Sequence, residues 1–322
     1  MPLRLCAAAV VVALLPACAS ARSLGVVNVP VTDVRAQPQT MAQPEAHDPL
    51  EETQLIYGEP VRILKADHGW VAVEALEQPE FTHRHRWQGY PGWVDASALR
   101  PLDPLLAPTI VVTEKWASAW DDPFAMAPSP WRFPIGTRLR ASNVNDMLWR
   151  VELLDGGFVW IPRAHARSLA ELTGLPVEEK RRLVVRNAEL FLGDGYYWGG
   201  RSPRDSRPTS QATGVDCSGL VNLAYRAAGI DVPRDAHEQY LRARKVGALR
   251  PGDLVFLSER GHPSHIVHVM LYAGEDQLLE APNTGLTVRR VTVQDRLGRP
   301  TNQLKPGTVV DGQTVFLGAY LP

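Results

Sequence analysis

Hydrophobic positions fall into three regimes along this chain. Leu5 to Leu15 is one apolar run, followed by small residues. From Leu24 to about Pro104 apolar residues come in short runs, Val61-Arg-Ile-Leu64, Gly69-Trp-Val-Ala-Val73 and Gly92-Trp-Val94, bounded by Gly, Pro, Asp and His. Such runs predict short strands broken by turns. A segment from about Thr109 to Leu169 repeats the plan: Gly136–Ala141 parallels Gly58–Leu64, Trp149–Glu152 parallels Trp70–Glu74, and Val159–Pro162 parallels Gly92–Asp95. The repeat predicts two small β units, 24–104 and 109–169, with Pro101–Pro108 as linker. Each has roughly 60 to 80 residues, enough for a small barrel core.

From Pro176 the pattern changes. Glu178–Leu192 mixes charged and apolar residues at helical spacing and predicts an amphipathic helix. Leu220, Val221, Leu223, Ala224 and Ala227 predict a second helix, beginning at Cys217 and stopping near Gly229. Strands are expected at Asp253–Leu257, Ile266–Tyr272, Gln277–Ala281, Leu286–Arg290 and Thr314–Tyr320, forming an antiparallel sheet. Helices first and strands after give an α+β domain over 176–322. The polar, Pro- and Ser-containing stretch Arg201–Thr213 is expected to be a mobile surface loop.

The first apolar run sets the compartment. Met1–Ala21 carries one basic residue, Arg4, and reads as an export signal too short to be a transmembrane helix. Leu15-Pro-Ala-Cys18 has the form of a bacterial lipobox, in which Cys18 becomes the acylated first residue; ordinary cleavage near Ala19 or Ala21 is the alternative. Ala19, rather than Asp, follows Cys18, which by resemblance to lipoprotein sorting in Gram-negative bacteria implies the outer membrane. The 322 residues allow two or three domains, and the formal charge of −1 shows no basic block that would point to nucleic acid. If Cys18 is lipidated, Cys217 is the one thiol left and no intramolecular disulfide can form. No Cys/His cluster has ligand spacing, so neither a metal nor another cofactor is expected. A monomer is expected.

An unpaired thiol in an exported chain invites a catalytic explanation. Asp216-Cys-Ser-Gly219 puts Cys217 in the first turn of a helix, where backbone N–H groups and the helix dipole favour the thiolate. A buried structural cysteine is the alternative. A cysteine nucleophile needs a base and a third group to orient that base. Of the nine histidines, His237, His262, His265 and His268 follow Cys217. His268 lies inside an apolar strand, either as a core residue or facing a cleft; His262 and His265 are read as solvated loop residues. A hairpin would bring Glu280 beside His268 to accept its ring N–H; a solvated strand position is the alternative.

Tyr196-Tyr-Trp-Gly-Gly200, Asp216-Cys-Ser-Gly-Leu220, Pro233-Arg234 with Gln239, Pro251-Gly-Asp-Leu-Val-Phe256 and His268-Val-Met-Leu-Tyr272 occur in the order in which the NlpC/P60 cysteine peptidase family carries its motifs. The resemblance covers about Pro176–Pro322. It implies a papain-like α+β fold that cleaves amide bonds in peptidoglycan stem peptides, with Cys217 as nucleophile and His268 as base. Glu280 falls on the third polar position, which in the family is usually His and sometimes Asn or Gln.

The two N-terminal units resemble tandem bacterial SH3-like barrels. That arrangement resembles the branch of γ-D-glutamyl-diamino acid endopeptidases, which release L-Ala-γ-D-Glu from peptides with a free N-terminal L-Ala. The resemblance implies that Tyr90 and Glu52 of the first unit line the substrate cleft, with Glu59 as a rival to Glu52, together with Asp216, Ser218 and Tyr196. Tyr90 has barrel packing as its alternative, Asp216 has helix capping, and Arg234 is equally a structural ion pair. An endopeptidase on intact peptidoglycan and a non-catalytic wall-binding lipoprotein are the competing readings.

Overall fold

The structure is a computed structural model that describes residues 23–40, 47–102, 107–124, 126–206 and 213–322. The signal segment and Cys18 lie outside the described residues. Leu24 to Pro101 forms one antiparallel sheet of seven strands in the order Glu51–Ile56 (β1), Val31–Arg35, Gln88–Asp95 (β3), Trp70–Glu80 (β2), Pro60–Asp67, Leu24–Val27, Leu99–Pro101. Ile110 to Ser168 forms a second, in the order Pro128–Pro134, Trp116–Trp120, Phe158–Pro162, Leu148–Glu152, Arg138–Asn143, Ile110–Val112, Ala166–Ser168. Numbered along each unit, both orders read 3-2-6-5-4-1-7, so the sequence repeat is also a repeat of topology. The three aligned sequence pairs fall on the fourth, fifth and sixth strands of each.

Neither sheet closes on itself, which corrects the expectation of closed barrels. Barrel closure needs the two edge strands to pair. In the first sheet, edge strand β1 instead faces the third unit: Gln54 accepts from the backbone N–H of Arg201 at 3.0 Å and from the Ser202 hydroxyl at 2.7 Å. Each sheet has its own core, Val27, Val34, Leu55, Val61, Val73 and Val94 in the first and Ile110, Phe133, Leu139, Val151 and Ile161 in the second.

The third unit places helix α1 (Val177–Glu189) against helix α2 (Cys217–Arg226), and α2 against the sheet. Every residue of α2 is buried. Its apolar positions meet Val184, Val185 and Ala188 of α1 on one side and Phe256, Val269 and Leu271 of the sheet on the other. A short helix α3 (Ala236–Arg242), not foreseen from the pattern, follows. The sheet order is Arg244–Lys245, Gln313–Ala319, Leu254–Glu259 (β4), His262–Gly274 (β5), Gln277–Glu280 (β6), Arg289–Thr292 (β7), all antiparallel, and helix α4 (Val293–Leu297) follows β7. Glu275 and Asp276 take positive φ, 51° and 60°, forming the tight turn that returns β6 beside β5 with Leu271 opposite Leu279. Two expectations need correction. His262 and His265 are exposed residues of β5, not of a loop. Arg201 and Ser202, expected in a mobile loop, are fully buried and pair with Gly214–Val215.

No described helix is long and apolar enough to cross a membrane.

Candidate active site

Cys217 is the first residue of α2. Asp216 caps the helix by accepting from the Gly219 N–H at 2.7 Å, an arrangement worth roughly 1 kcal/mol. Gly219 is required by close packing: a Cβ there would lie 2.2 Å from the Gly200 carbonyl oxygen. The Asp-Cys-Ser-Gly run therefore fixes both the cap and the approach of the Gly199–Gly200 turn to the start of the Cys217 helix.

His268 stands on β5 with 9% of its surface exposed. Its Nε2 lies 3.0 Å from Glu280 Oε2, and the ring is also hydrogen-bonded to Cys217. With Nε2 on the carboxylate, Nδ1 is the nitrogen left for the sulfur. Burial is the largest influence on the ring and favours its neutral form, but Cys217 and Glu280 together outweigh it and raise the pKa to about 9. Glu280 is fully buried. Burial pushes its carboxyl up, but His268, Arg296 and Arg289 prevail and hold it at about 2. Arg289 donates to Oε1 from Nε at 2.9 Å and from Nη2 at 2.6 Å, and Arg296 Nε donates to Oε2 at 3.1 Å. Cys217, His268 and Glu280 are thus brought into one line from three separate elements.

Tyr196 is buried beside them. Its hydroxyl is held well above the ordinary range, first by burial and then by the neighbouring Cys217 and Asp216. Asp216 is saturated. Oδ1 accepts from Gly219 N, from Ser218 Oγ at 3.1 Å and from Arg234 Nη1 at 3.0 Å, and Oδ2 accepts from Arg234 Nη2 at 2.8 Å and Gly199 N at 3.2 Å. Those bonds fill its lone pairs, so Asp216 has no oxygen left for a further cation. Ser218 Oγ also accepts from Arg234 Nη1 at 2.8 Å. Arg234 is therefore a structural ion pair, anchored further by Thr53 of β1 at 2.7 Å from Nε.

Tyr90 of β3 and Glu52 of β1 reach the same region from the first sheet. The Tyr90 hydroxyl donates to Glu52 Oε2 at 3.4 Å and is also bonded to Asp235. Its pKa is far above the usual phenol value, through burial first and then through the Asp235 and Glu52 charges. A polar chain runs from Tyr90 through Asp235, Arg234 and Asp216 to Ser218, the neighbour of Cys217. Glu59, the rival to Glu52, is elsewhere: both its oxygens are held by Arg201, at 2.7 and 3.1 Å, and it is 1% exposed.

Five residues escaped the sequence reading: Arg289 and Arg296 at Glu280, and Asp235, Glu238 and His83. Asp235 precedes α3, where Asp ordinarily caps a helix, yet its side chain makes no cap bond and turns to Tyr90 instead. Burial, the largest influence, with repulsion from Glu238 and Asp216, outweighs Arg234 and pushes its carboxyl up to about 7. Glu238 of α3 accepts from Phe81 N at 3.2 Å, Thr82 N at 3.0 Å and Thr82 Oγ1 at 2.5 Å, pinning the segment between β2 and β3. His83 of that segment packs edge-on against Tyr90, with ring centroids 5.3 Å apart, and places Nε2 3.7 Å from Glu52. The Pro-Arg-Asp run at 233–235 was the available signal for Asp235; nothing local marked Glu238 or His83. Among the described residues no group of three or more His, Cys, Asp or Glu side chains is arranged to hold a metal.

Comparison with known proteins adds the following. Residues 193–305 match the NlpC/P60 family. The chain is 27% identical over 243 residues to a γ-D-glutamyl-L-lysine dipeptidyl-peptidase of Bacillus cereus, spanning 74% of this chain and 69% of that one. It is 26% identical over 255 residues to the Bacillus subtilis protein of the same name, spanning 78% of each. The crystal structure of an NlpC/P60 family protein from Bacillus cereus superposes with a TM-score of 0.72 at 22% identity, covering 93% of this chain and 100% of the other, a likeness of fold. The matched residues hold the Cys217 helix, the His268 strand and Glu280, so this part of the chain carries the NlpC/P60 likeness.

Proposed function

We propose that this protein is a cysteine peptidase that hydrolyses the amide between γ-D-Glu and the diamino acid of peptidoglycan stem peptides, releasing L-Ala-γ-D-Glu from peptides with a free N-terminal L-Ala. The observation that carries the reading is the line Cys217–His268–Glu280, joined through Asp216, Arg234 and Asp235 to Tyr90 and Glu52 of the first sheet. The similarity to two dipeptidyl-peptidases runs over three quarters of the chain, beyond the peptidase domain itself, and supports the same substrate class.

Cys217 Sγ attacks the γ-carbonyl carbon and the C–N bond to the diamino acid breaks. The proton held on His268 Nδ1 passes to the leaving amine. Water then attacks the thioester, gives its proton to His268, and frees the dipeptide acid and the thiol. Glu280 keeps Nε2 engaged so that Nδ1 faces the sulfur. The substrate ammonium is met by Asp235 and Glu52, with Tyr90 between them, while Asp216, Ser218 and Tyr196 shape the wall. The two seven-stranded sheets are read as SH3-like units over 24–104 and 109–169, with the peptidase domain over 176–322. The mature protein is read as an exported monomer, held to the outer membrane through Cys18; Cys18→Ser should leave it outside the membrane fraction.

The test is kcat/KM for free against N-acetylated L-Ala-γ-D-Glu-diamino acid tripeptide. The free peptide should be preferred by at least tenfold, since acylation removes the charge that Asp235 and Glu52 would meet and adds bulk beside Tyr90. Equal values would favour an endopeptidase acting on intact wall. Cleavage of neither would favour a wall-binding lipoprotein.

A further inference from the structure

Glu280 is fully buried yet carries three cationic partners, His268 on one side and Arg289 and Arg296 on the other. An imidazolium between a thiolate and an unshared buried carboxylate would hold its proton too firmly to give it to a leaving amine. We propose that Arg296, supported by Arg289, is a positioning residue of the peptidase centre that shares the charge of Glu280 and so sets how readily His268 releases its proton. The proposal rests on reading Cys217 and His268 as the reacting pair.

The geometry distinguishes the two arginines. Arg296 Nε binds Oε2, the oxygen that also receives His268 Nε2, and its side chain is 25% exposed. Arg289 binds the other oxygen, Oε1, through two nitrogens, and is 46% exposed. Solvent screens Arg289 more, and its charge is one atom further from the ring. Arg296 therefore acts on His268 the more strongly, and Arg289 chiefly fixes the carboxylate plane. The other ionisable groups facing the pair are Cys217 of α2 against the ring, Tyr196 against Cys217, and the Asp216–Arg234 pair behind it. His237 of α3 touches β5 at the Ile266 N–H, and its charged or titratable neighbours are Glu238 and His265. None of these pairs with Glu280.

The experiment measures the pH dependence of kcat/KM on the free tripeptide, together with the rate of Cys217 alkylation by iodoacetamide, in Arg296→Met, Arg296→Lys, Glu280→Gln and the double variant Glu280→Gln/Arg296→Met. Removing Arg296 leaves more of the carboxylate's charge on the ring. The alkaline limb should move up by about one pH unit, with a lower plateau. Arg296→Lys should keep the wild-type limb. Glu280→Gln leaves two unbalanced guanidiniums beside the ring, so its limb should move down, and the double variant should move part of the way back. A wild-type limb in Arg296→Met, or a double variant whose shift is no smaller than that of Glu280→Gln, would overturn the proposal. Those outcomes leave the peptidase reading standing, whereas that reading fails on its own terms if Cys217→Ala retains turnover.

Discussion

Arg234 grips Asp216 with both terminal nitrogens, Nη1 on Oδ1 at 3.0 Å and Nη2 on Oδ2 at 2.8 Å, and Arg234 is completely buried. A bidentate pair of this kind is rigid. It locks Asp216, the residue before Cys217, and occupies both of its carboxylate oxygens.

The first prediction concerns Asp235. A carboxyl raised to about 7 is neutral below that pH and charged above it. Only the charged form attracts an ammonium, so kcat/KM for the free tripeptide should fall as pH drops through about 7, through KM and not kcat. Asp235→Asn should have high KM and lose this acidic limb. An unaltered limb in that variant would assign the titration to another group.

The nucleophile is tested directly. Cys217→Ala and His268→Ala should each remove nearly all hydrolysis, because groups acting as a unit fail together. Iodoacetamide should label Cys217 of the wild type near neutral pH and label it more slowly in His268→Ala. The wild-type rate should decline as pH rises through about 9, where the His268 proton is lost.

Glu238 holds the segment between β2 and β3 against α3, and Arg242 of the same helix lies over the Trp87 ring at 3.9 Å. That segment presents His83 to Tyr90 and Glu52. Glu238→Ala should loosen it and raise KM for the free tripeptide about tenfold, the equivalent of one lost hydrogen-bonded charge, with a smaller effect on the N-acetylated peptide. Glu238→Gln, which still offers an oxygen, should recover part of the difference. Unchanged selectivity in Glu238→Ala would give the contact a purely structural role.

Glu59 and Arg201 join the first sheet to the peptidase domain through a fully buried ion pair, and Arg226 adds a second cation 3.4 Å from Glu59. Removing the carboxylate leaves two guanidiniums buried without it. Glu59→Ala should cost about 3–5 kcal/mol in urea unfolding. A loss below about 1 kcal/mol would mean that water enters and solvates Arg201.

The sequence by itself determined what depends on neighbours a few residues apart. The periodicity of 178–192 and 217–227 marked the two large helices, and Asp216-Cys-Ser-Gly219 marked the cap and the thiol it presents. The repeat between 58–95 and 136–162 marked two β units of one plan, while their open form and shared strand order came from the tertiary structure. A single tight turn was enough to connect Glu280 with His268, since the two lie only 12 residues apart. Tertiary structure alone decided the charge partners. Arg201 meets Gln54 across 147 residues, Arg234 meets Thr53 across 181, and Phe81 meets Glu238 across 157. No periodicity records such separations. Whether an Asp caps a helix, as at 216, or turns toward a tyrosine on another sheet, as at 235, is settled by which buried cation or hydroxyl packing brings within reach. The cost of leaving a charge unpaired in the interior then makes that choice firm.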